Sequence, residues 1–128
     1  MELVAIVTLL ALLECSFFAF RCGTLRQKYG VQAPATTGDP VWERYYRVHH
    51  NTLEQLVIFL PALWLFAQYV NPLVGAALGL VFLVGRILYY NGYIADPAKR
   101  STGFVVGYLA TALLLIGGLG GAVWSAIG

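Results

Sequence analysis

Four long stretches of almost uninterrupted apolar sequence determine what this chain can fold into. They cover residues 3–20, 53–69, 73–93 and 104–126, and the last of them contains no charged residue. A helix crosses a bilayer with about 20 mostly apolar residues. The sequence therefore predicts an all-α integral membrane protein, in which residues 1–128 form a single domain of four transmembrane helices.

The composition excludes the other common classes of protein. Hydrophobic residues make up 59% of the chain and charged residues 11%, whereas soluble domains average roughly 45–50% and about 25%. A soluble globule of this size has too little interior for so much apolar surface, and a disordered chain carries far less of it. Two cysteines are too few for a disulfide scaffold. A net charge of +2 provides no basic stripe for nucleic acid.

The distribution of basic residues predicts how the chain lies in the membrane. All eight Lys and Arg residues fall in or beside the first and third loops, and none lies in the second loop or at the termini. The positive-inside rule places the basic loops in the cytoplasm and both termini on the opposite side. The first stretch is expected to be a membrane helix and not a cleavable signal peptide. A signal peptide begins with basic residues, whereas this stretch is preceded by Glu2 and by no Lys or Arg. A bacterial inner membrane is the expected location, since outer-membrane proteins are barrels.

Prolines and glycines predict the local geometry of the bundle. Only residues 70–72 separate the second and third stretches, which indicates a tight helical hairpin with Pro72 in the first turn of a helix. Pro61 lies inside the second stretch, where membrane helices tolerate a proline kink. Residues 31–40 are typical of an irregular loop. Pairs of glycines four residues apart indicate close helix packing; they are Gly75 and Gly79, Gly103 and Gly107, and Gly117 and Gly121.

Polar side chains interrupt three of the four stretches near the end that is predicted to face the cytoplasm. Arg47, Asn51 and Glu54 follow the i, i+4, i+7 spacing of one helix face at the start of the second stretch. The other two stretches carry similar sets, namely Arg86, Tyr89 or Tyr90, and Tyr93, followed by Arg100, and Glu14 with Arg21. Charges inside a membrane span are rare and usually functional. These residues therefore predict a binding site at one depth of the membrane.

The chemistry of these side chains fits a small, charged organic molecule. Guanidinium groups bind carboxylates in a bidentate way, a carboxylate such as Glu54 can receive an ammonium group, and tyrosines donate hydroxyl protons. No cluster of His, Cys and carboxylates has the spacing of a metal site. The pattern favours a zwitterionic, polyanionic ligand over a metal ion.

Two other interpretations of the charged residues remain open at this stage. In the first, the charges tie the helices together, for example as a pair between Arg86 and Glu54 or between Glu14 and an arginine. In the second, Glu14 alone is functional, as in small multidrug-resistance exporters, although such exporters have short loops and little charge asymmetry. Cys15 and Cys22 lie seven residues apart, about 10 Å along a helix. They are too far apart to bridge within the chain, and we expect them to be buried or interfacial thiols.

Residues 44–54, which read Arg-Tyr-Tyr-Arg-Val-His-His-Asn-Thr-Leu-Glu, carry a family resemblance. They resemble the signature of the second helix in the MAPEG family, the membrane-associated proteins in eicosanoid and glutathione metabolism. The family's leukotriene-forming members are similar at matching spacing, at residues 36–38 and 43–44 and from residues 85–86 to 92–93, followed by Arg100. The chain also resembles the family's glutathione-transferase members.

This resemblance implies a homotrimer of four-helix subunits that binds glutathione as a co-substrate on the cytoplasmic side, between neighbouring subunits. Arg47, Asn51 and Glu54 would hold the backbone and charged ends of glutathione. Tyr89 and Tyr93 would line the pocket, and Arg100 would favour the thiolate. Arg26 would be contributed from the end of the first helix. The role of Arg86 would be mainly structural. Tyr93 could replace Arg100 as the sulfur partner, because a phenol hydroxyl also stabilises a thiolate.

Two departures from the family pattern bear on the reaction. Gln27 and Gln55 stand where the leukotriene-forming members have an arginine and a tyrosine, which disfavours leukotriene chemistry. The expected activity is a general glutathione transferase or peroxidase, acting on an apolar electrophile or a lipid hydroperoxide that arrives from the membrane lipid. The alternatives are a non-catalytic lipid-binding or scaffold protein of the same fold and an exporter that uses Glu14.

Overall fold

A computed structural model describes all residues from Met1 to Gly128. The chain is helical and contains no strand. Four long helices, α1, α3, α4 and α5, are joined by a short helix, α2, and one turn of 3₁₀-helix. Their bounds are α1 Glu2–Thr24, α2 Arg26–Tyr29, α3 Pro40–Tyr69, α4 Pro72–Ala95, the 3₁₀ turn Pro97–Arg100, and α5 Ser101–Ile127. All four long helices are long and apolar enough to cross a membrane, which confirms the prediction of four spans.

The second span is longer than its apolar stretch, because α3 begins at Pro40 and not near residue 53. The side chain of Asp39 caps this helix by accepting hydrogen bonds from the backbone N–H groups of Val41 and Trp42, both at 2.9 Å. The polar residues 40–52 therefore form nearly four helical turns that hydropathy alone does not detect. Pro61 lies within α3 without ending it.

The helices run alternately up and down the bundle. Trp42 Nε1 donates to the carbonyl of Cys22 at 2.9 Å, and Trp64 Nε1 donates to Thr8 Oγ1 at 2.9 Å, so α1 and α3 are antiparallel. Only Val70 and Asn71 separate α3 from α4, and Asn71 caps α4 by accepting from the N–H of Val74. The expected hairpin, with Pro72 in the first turn of α4, is thereby confirmed.

Glycines set the distance between α4 and α5. A Cβ atom at Gly103 would fall on the backbone of Tyr89 and within 2.7 Å of the Gly85 carbonyl oxygen. A Cβ at Gly85 would in turn meet the backbone of Gly107 at 2.7 Å. The interpretation of these glycines as packing residues is confirmed, and the close contact brings the start of α5 against the end of α4.

The core is formed by apolar side chains from all four long helices. Its centre is the stacked pair Phe59 and Phe82, whose ring centroids lie 3.8 Å apart and whose side chains are fully buried. Cys15 and Cys22 are buried free thiols, as expected. Large apolar residues remain exposed along the outer faces of the helices, among them Leu13, Val57 and Ile116. Such a surface is suited to acyl chains or to neighbouring copies and not to water.

Candidate functional site

A groove of about 460 Å³ opens between α3, α4 and the start of α5. Its volume lies in the range of roughly 300–1,000 Å³ that is usual for small-molecule sites. Residues from three separate parts of the chain line it: Asn51, Tyr89, Arg100, Ser101, Phe104 and Val105. Three of these residues were predicted as site residues from the sequence, and the fold brings them together.

Hydrogen bonds and aromatic contacts order the predicted residues along the groove. Asn51 Nδ2 donates to the hydroxyl of Tyr89 at 2.7 Å, which joins α3 to α4. The ring of Tyr93 meets that of Tyr89 edge-on, with 5.5 Å between centroids. The guanidinium carbon of Arg100 lies 5.8 Å from the centroid of Tyr93. A cation, two phenols and an amide therefore form one continuous set.

The exposed guanidinium of Arg100 is held by its own turn of the chain. Arg100 Nη1 donates to the carbonyl of Pro97 at 2.6 Å, and the remaining N–H groups are free for a ligand. The 3₁₀ turn that carries Arg100 is capped by Asp96, which accepts from the N–H of Ala98 at 3.0 Å. Gly92 allows this turn to pack against α4, since a Cβ there would fall on the Lys99 carbonyl.

Arg47 and Glu54 lie on α3 on either side of Asn51, with exposed side chains. Neither side chain forms an ion pair or a hydrogen bond within the chain. The one ion pair of the structure joins the Met1 amino group to Glu2. Their spacing places them on the same helix face as Asn51. These two charges are available to a ligand or to another copy of the chain.

Arg26 lies outside the groove of its own chain. Its guanidinium stacks 4.5 Å from the ring of Trp42, and Nη1 donates to the carbonyl of Ala35 at 2.8 Å. It lines a separate groove of about 390 Å³ at the end of α1 and the following loop. Within one chain, Arg26 therefore lies apart from the other predicted glutathione-binding residues.

The alternative in which Arg86 forms an ion pair with Glu54 is wrong. Arg86 is 1% exposed and donates from Nε and Nη2 to Thr52 Oγ1, at 3.2 and 2.8 Å. Its guanidinium carbon also lies 4.0 Å from the ring centroid of Tyr89. Glu54 points away from this interior contact because it occupies an exposed face of α3.

Glu14 forms no ion pair with an arginine either. It is partly buried in α1, and its Oε1 atom is shielded and has no hydrogen-bond partner. Arg21, further along α1, instead lies over Tyr45, with 5.9 Å from its guanidinium carbon to the ring centroid. The charges of the first span are thus not paired with each other.

Sequence reasoning missed several residues of the groove. Ser101, Phe104 and Val105 line it because α5 begins directly after Arg100, and only the position of that helix start could have indicated them. Of the two candidate tyrosines, Tyr89 faces the groove, while Tyr90 stacks on Phe18 at 4.9 Å. No pattern in the sequence indicated Thr52, whose hydroxyl accepts the hydrogen bonds of Arg86.

The fold and the groove define an integral membrane four-helix bundle with a cationic and phenolic site at one end of the helices. The chain belongs to the MAPEG family, whose sequence profile matches residues 4–120.

Individual relatives agree with this assignment. The chain is 48% identical over 120 residues to the uncharacterized protein sll1147 of Synechocystis, covering 94% of this chain and 88% of that protein. It is 42% identical over 119 residues to human microsomal glutathione S-transferase 2, covering 92% and 81%. It is 36% identical over 98 residues to bovine leukotriene C4 synthase, covering 77% and 65%.

Proposed function

We propose that this protein is a glutathione-dependent membrane enzyme that activates the thiol of glutathione. The thiolate would be conjugated to an apolar electrophile or would reduce a lipid hydroperoxide. The observation that carries the proposal is the groove in which Asn51, Tyr89 and Arg100 meet, with Tyr93 beside them. Membership of the MAPEG family and the similarity to microsomal glutathione S-transferase 2 support it.

The charges around the groove match those of glutathione. Glutathione carries two carboxylates, one ammonium group, two amides and a thiol. Arg47 would bind a carboxylate, Glu54 the ammonium group, and the Asn51 side chain a backbone amide, since a side-chain amide can both donate and accept. Tyr89 would line the pocket at the amide.

Arg100 and Tyr93 are the groups that would favour the thiolate. A free thiol has a pKa near 8.5, so at neutral pH only a small fraction is ionised. A cation within about 4–6 Å lowers such a pKa by roughly 1–3 units. The thiol proton passes to solvent as the thiolate forms. The sulfur then bonds to the electrophilic carbon while a C=C π bond or an epoxide C–O bond breaks, and the electron pair so released takes up a proton from solvent. In peroxide reduction the thiolate sulfur would attack a peroxide oxygen, the O–O bond would break, and the alcohol would leave after taking up a proton. A second glutathione would then attack the resulting sulfenic acid, which forms the disulfide and releases water.

We further propose that the complete site lies between subunits of a homotrimer. The exposed Arg47 and Glu54 leave one side of the groove open, and Arg26 faces a different groove of the same chain. A neighbouring copy could bring its Arg26 to the open side. The basic loops, and with them the site, would face the cytoplasm, with both termini across a bacterial inner membrane.

The test measures the ultraviolet absorbance of glutathione thiolate when glutathione is added to the purified protein at neutral pH. We expect a thiolate signal in the wild type, its loss in Arg100→Ala, and its retention in Lys99→Ala, which removes the adjacent exposed cation. The fraction of the thiolate signal that is lost in Tyr93→Phe measures how much the Tyr93 hydroxyl contributes to stabilising the thiolate. Glutathione binding by calorimetry without a thiolate signal would contradict the enzymatic proposal.

A second candidate function is lipid binding without catalysis. An apolar groove of about 400 Å³ runs between α3 and α5, lined by residues such as Ala62, Leu65, Leu114 and Leu119. Its lining is suited to an acyl chain. Binding of glutathione without thiolate formation, or binding of lipid alone, would favour this function.

A further inference from the structure

Two residues behind the groove, Thr52 and Arg86, form a buried contact that the proposed site does not yet explain. Thr52 is 0% exposed and Arg86 is 1% exposed, and neither lines the groove. Two N–H groups of the guanidinium converge on one hydroxyl oxygen, at 2.8 and 3.2 Å. A charged side chain inside a membrane span is expensive and is usually retained for function.

The contact continues into the groove through Tyr89. The guanidinium carbon of Arg86 lies 4.0 Å from the ring centroid of Tyr89, which is a close cation–π distance. Tyr89 is itself only 3% exposed, and its hydroxyl accepts the hydrogen bond from Asn51. The four side chains thus form one sequence of contacts, from Thr52 to Arg86, to Tyr89, to Asn51.

We propose that Thr52 and Arg86 are positioning residues for the glutathione site. Thr52 fixes the plane of the guanidinium, the guanidinium fixes the ring of Tyr89, and the Tyr89 hydroxyl then fixes the side-chain amide of Asn51. One N–H of that amide is used by Tyr89, which leaves its other N–H and its oxygen oriented toward the ligand. This proposal rests on the proposed function of the groove in binding glutathione.

The contact geometry distinguishes this role from simple helix packing. A structural tie between α3 and α4 needs only the bond between Arg86 and Thr52. The stacking of the same guanidinium on Tyr89, whose hydroxyl ends in the groove, adds a link that packing does not require. Thr111, in contrast, is a buried threonine that has no hydrogen-bond partner and lies outside the groove. It provides a matched control for the same substitution.

The first experiment is a double-mutant cycle on the dissociation constant of glutathione, measured by calorimetry on the full-length protein. We expect Thr52→Val to raise the dissociation constant about fivefold, as for the loss of one ordinary hydrogen bond. In a Tyr89→Phe background the same change should have less than about a twofold effect, because coupled residues are not additive. Thr111→Val should leave the constant unchanged, and Thr52→Ser should restore it, since serine keeps the hydroxyl.

Equal effects of Thr52→Val in both backgrounds would overturn the proposal, as would an unchanged dissociation constant or a failed rescue by serine. If Thr52→Val does not fold, Arg86→Lys takes its place, because lysine keeps the charge but cannot reproduce the planar contact. A purely structural role would lower thermal stability in both backgrounds and leave the glutathione affinity of the folded fraction intact.

A second measurement does not depend on glutathione. The chain contains three asparagines, so ¹⁵N-asparagine labelling gives few side-chain amide signals, and Asn51→Ala identifies the one of interest. We expect Arg86→Lys, which changes no sequence neighbour of Asn51, to shift the Asn51 signal, and Thr111→Val to leave it in place. An unmoved signal would refute positioning even if glutathione binds. If the wild type binds no glutathione, the proposed function fails, and the shift still decides whether Arg86 is coupled to Asn51 through Tyr89.

Discussion

The side-chain amide of Asn51 and the hydroxyl of Tyr89 are joined by a hydrogen bond of 2.7 Å that links α3 to α4 at the groove. It is the one side-chain hydrogen bond between two of the residues that line this groove. Both partners were predicted to bind glutathione, and the bond places them side by side.

Asn51→Ala should therefore weaken glutathione binding. The variant loses the contact with the ligand and leaves the Tyr89 hydroxyl without its donor. We expect a five- to tenfold rise in the dissociation constant, since a hydrogen bond contributes roughly 1 kcal/mol. Calorimetry checks this, with Asn91→Ala as the control, because Asn91 is exposed on α4 outside the groove. Equal effects of the two variants on the dissociation constant would mean that Asn51 has no specific role in binding glutathione.

Arg47 and Glu54 should each be needed to bind the charged ends of glutathione. Both are exposed and unpaired in the chain, so removing them leaves no buried charge behind. Arg47→Ala and Glu54→Ala should each raise the dissociation constant about tenfold, because hydrogen bonds to charged groups contribute about 1.5 kcal/mol or more. Gln68→Ala, an exposed position near the other end of α3, should have no effect. Unchanged affinity in both charge variants would remove these residues from the site.

A mixing experiment tests whether the site is shared between subunits. Arg26→Ala and Asn51→Ala chains should each bind glutathione more weakly, and their mixed trimers should regain a fraction of sites with wild-type affinity. If each site takes Asn51 from one copy and Arg26 from its neighbour, random mixing of equal amounts restores about a quarter of the sites in a cyclic assembly. Thiolate absorbance measures the recovery, and light scattering in mild detergent measures the mass. No recovery, or a monomeric mass, would rule out a shared site.

Gly103 should be required for the shape of the groove. Its missing side chain lets α5 contact the backbone of Tyr89 and the Gly85 carbonyl. Gly103→Ala should destabilise the protein by about 1–3 kcal/mol through overpacking and should weaken glutathione binding at the same time. Gly120→Ala, in the same helix with open space around it, should be neutral or stabilising, since alanine favours a helix more than glycine does. Thermal unfolding and calorimetry together provide the comparison.

Glu14→Gln separates the enzyme from an exporter. Glu14 does not line the groove, and one of its carboxylate oxygens is shielded without a partner. We expect glutathione affinity and thiolate absorbance to stay within about twofold of the wild type, and thermal stability to hold or rise, because an amide of nearly the same shape cannot ionise in this partly buried position. Loss of a transport activity in vesicles with Glu14→Gln, but not with Arg100→Ala, would favour the exporter.

The sequence predicts the membrane spans well, because a bilayer requires long apolar helices whatever their tertiary contacts. The start of α3 at Pro40 was not predicted, because the spacing of Arg47 and Asn51 placed only the later turns on a helix. The earlier turns gain their helical structure from the Asp39 cap and from packing, as the hydrogen bond from Trp42 to the Cys22 carbonyl shows. Hydropathy does not detect these local contacts.

Spacing along a helix identified Asn51, and Tyr89 or Tyr90, because it depends on one helix at a time. Arg100 was added by its place after the third span and by the family resemblance. Spacing did not identify the partner of Arg86: a pair with Glu54 was one open alternative, and Arg86 instead binds Thr52. The face of α3 that turns toward α4 depends on how the helices are rotated in the bundle. Thr52 is uncharged, so a search of the sequence for opposite charges does not identify it as the partner of Arg86. The same limit explains why Ser101 and Phe104 were missed.

The alternating course of the helices separates the two ends of the molecule in a way that is useful in the laboratory. The groove lies where α1 and α4 end and where α3 and α5 begin, whereas the termini lie at the far end of α1 and α5. The 27 residues of α5 span about 40 Å. A fluorophore or fusion partner at either terminus therefore stands well clear of the groove. Energy transfer between differently labelled copies can then report on subunit exchange while ligand binding proceeds undisturbed at the other end.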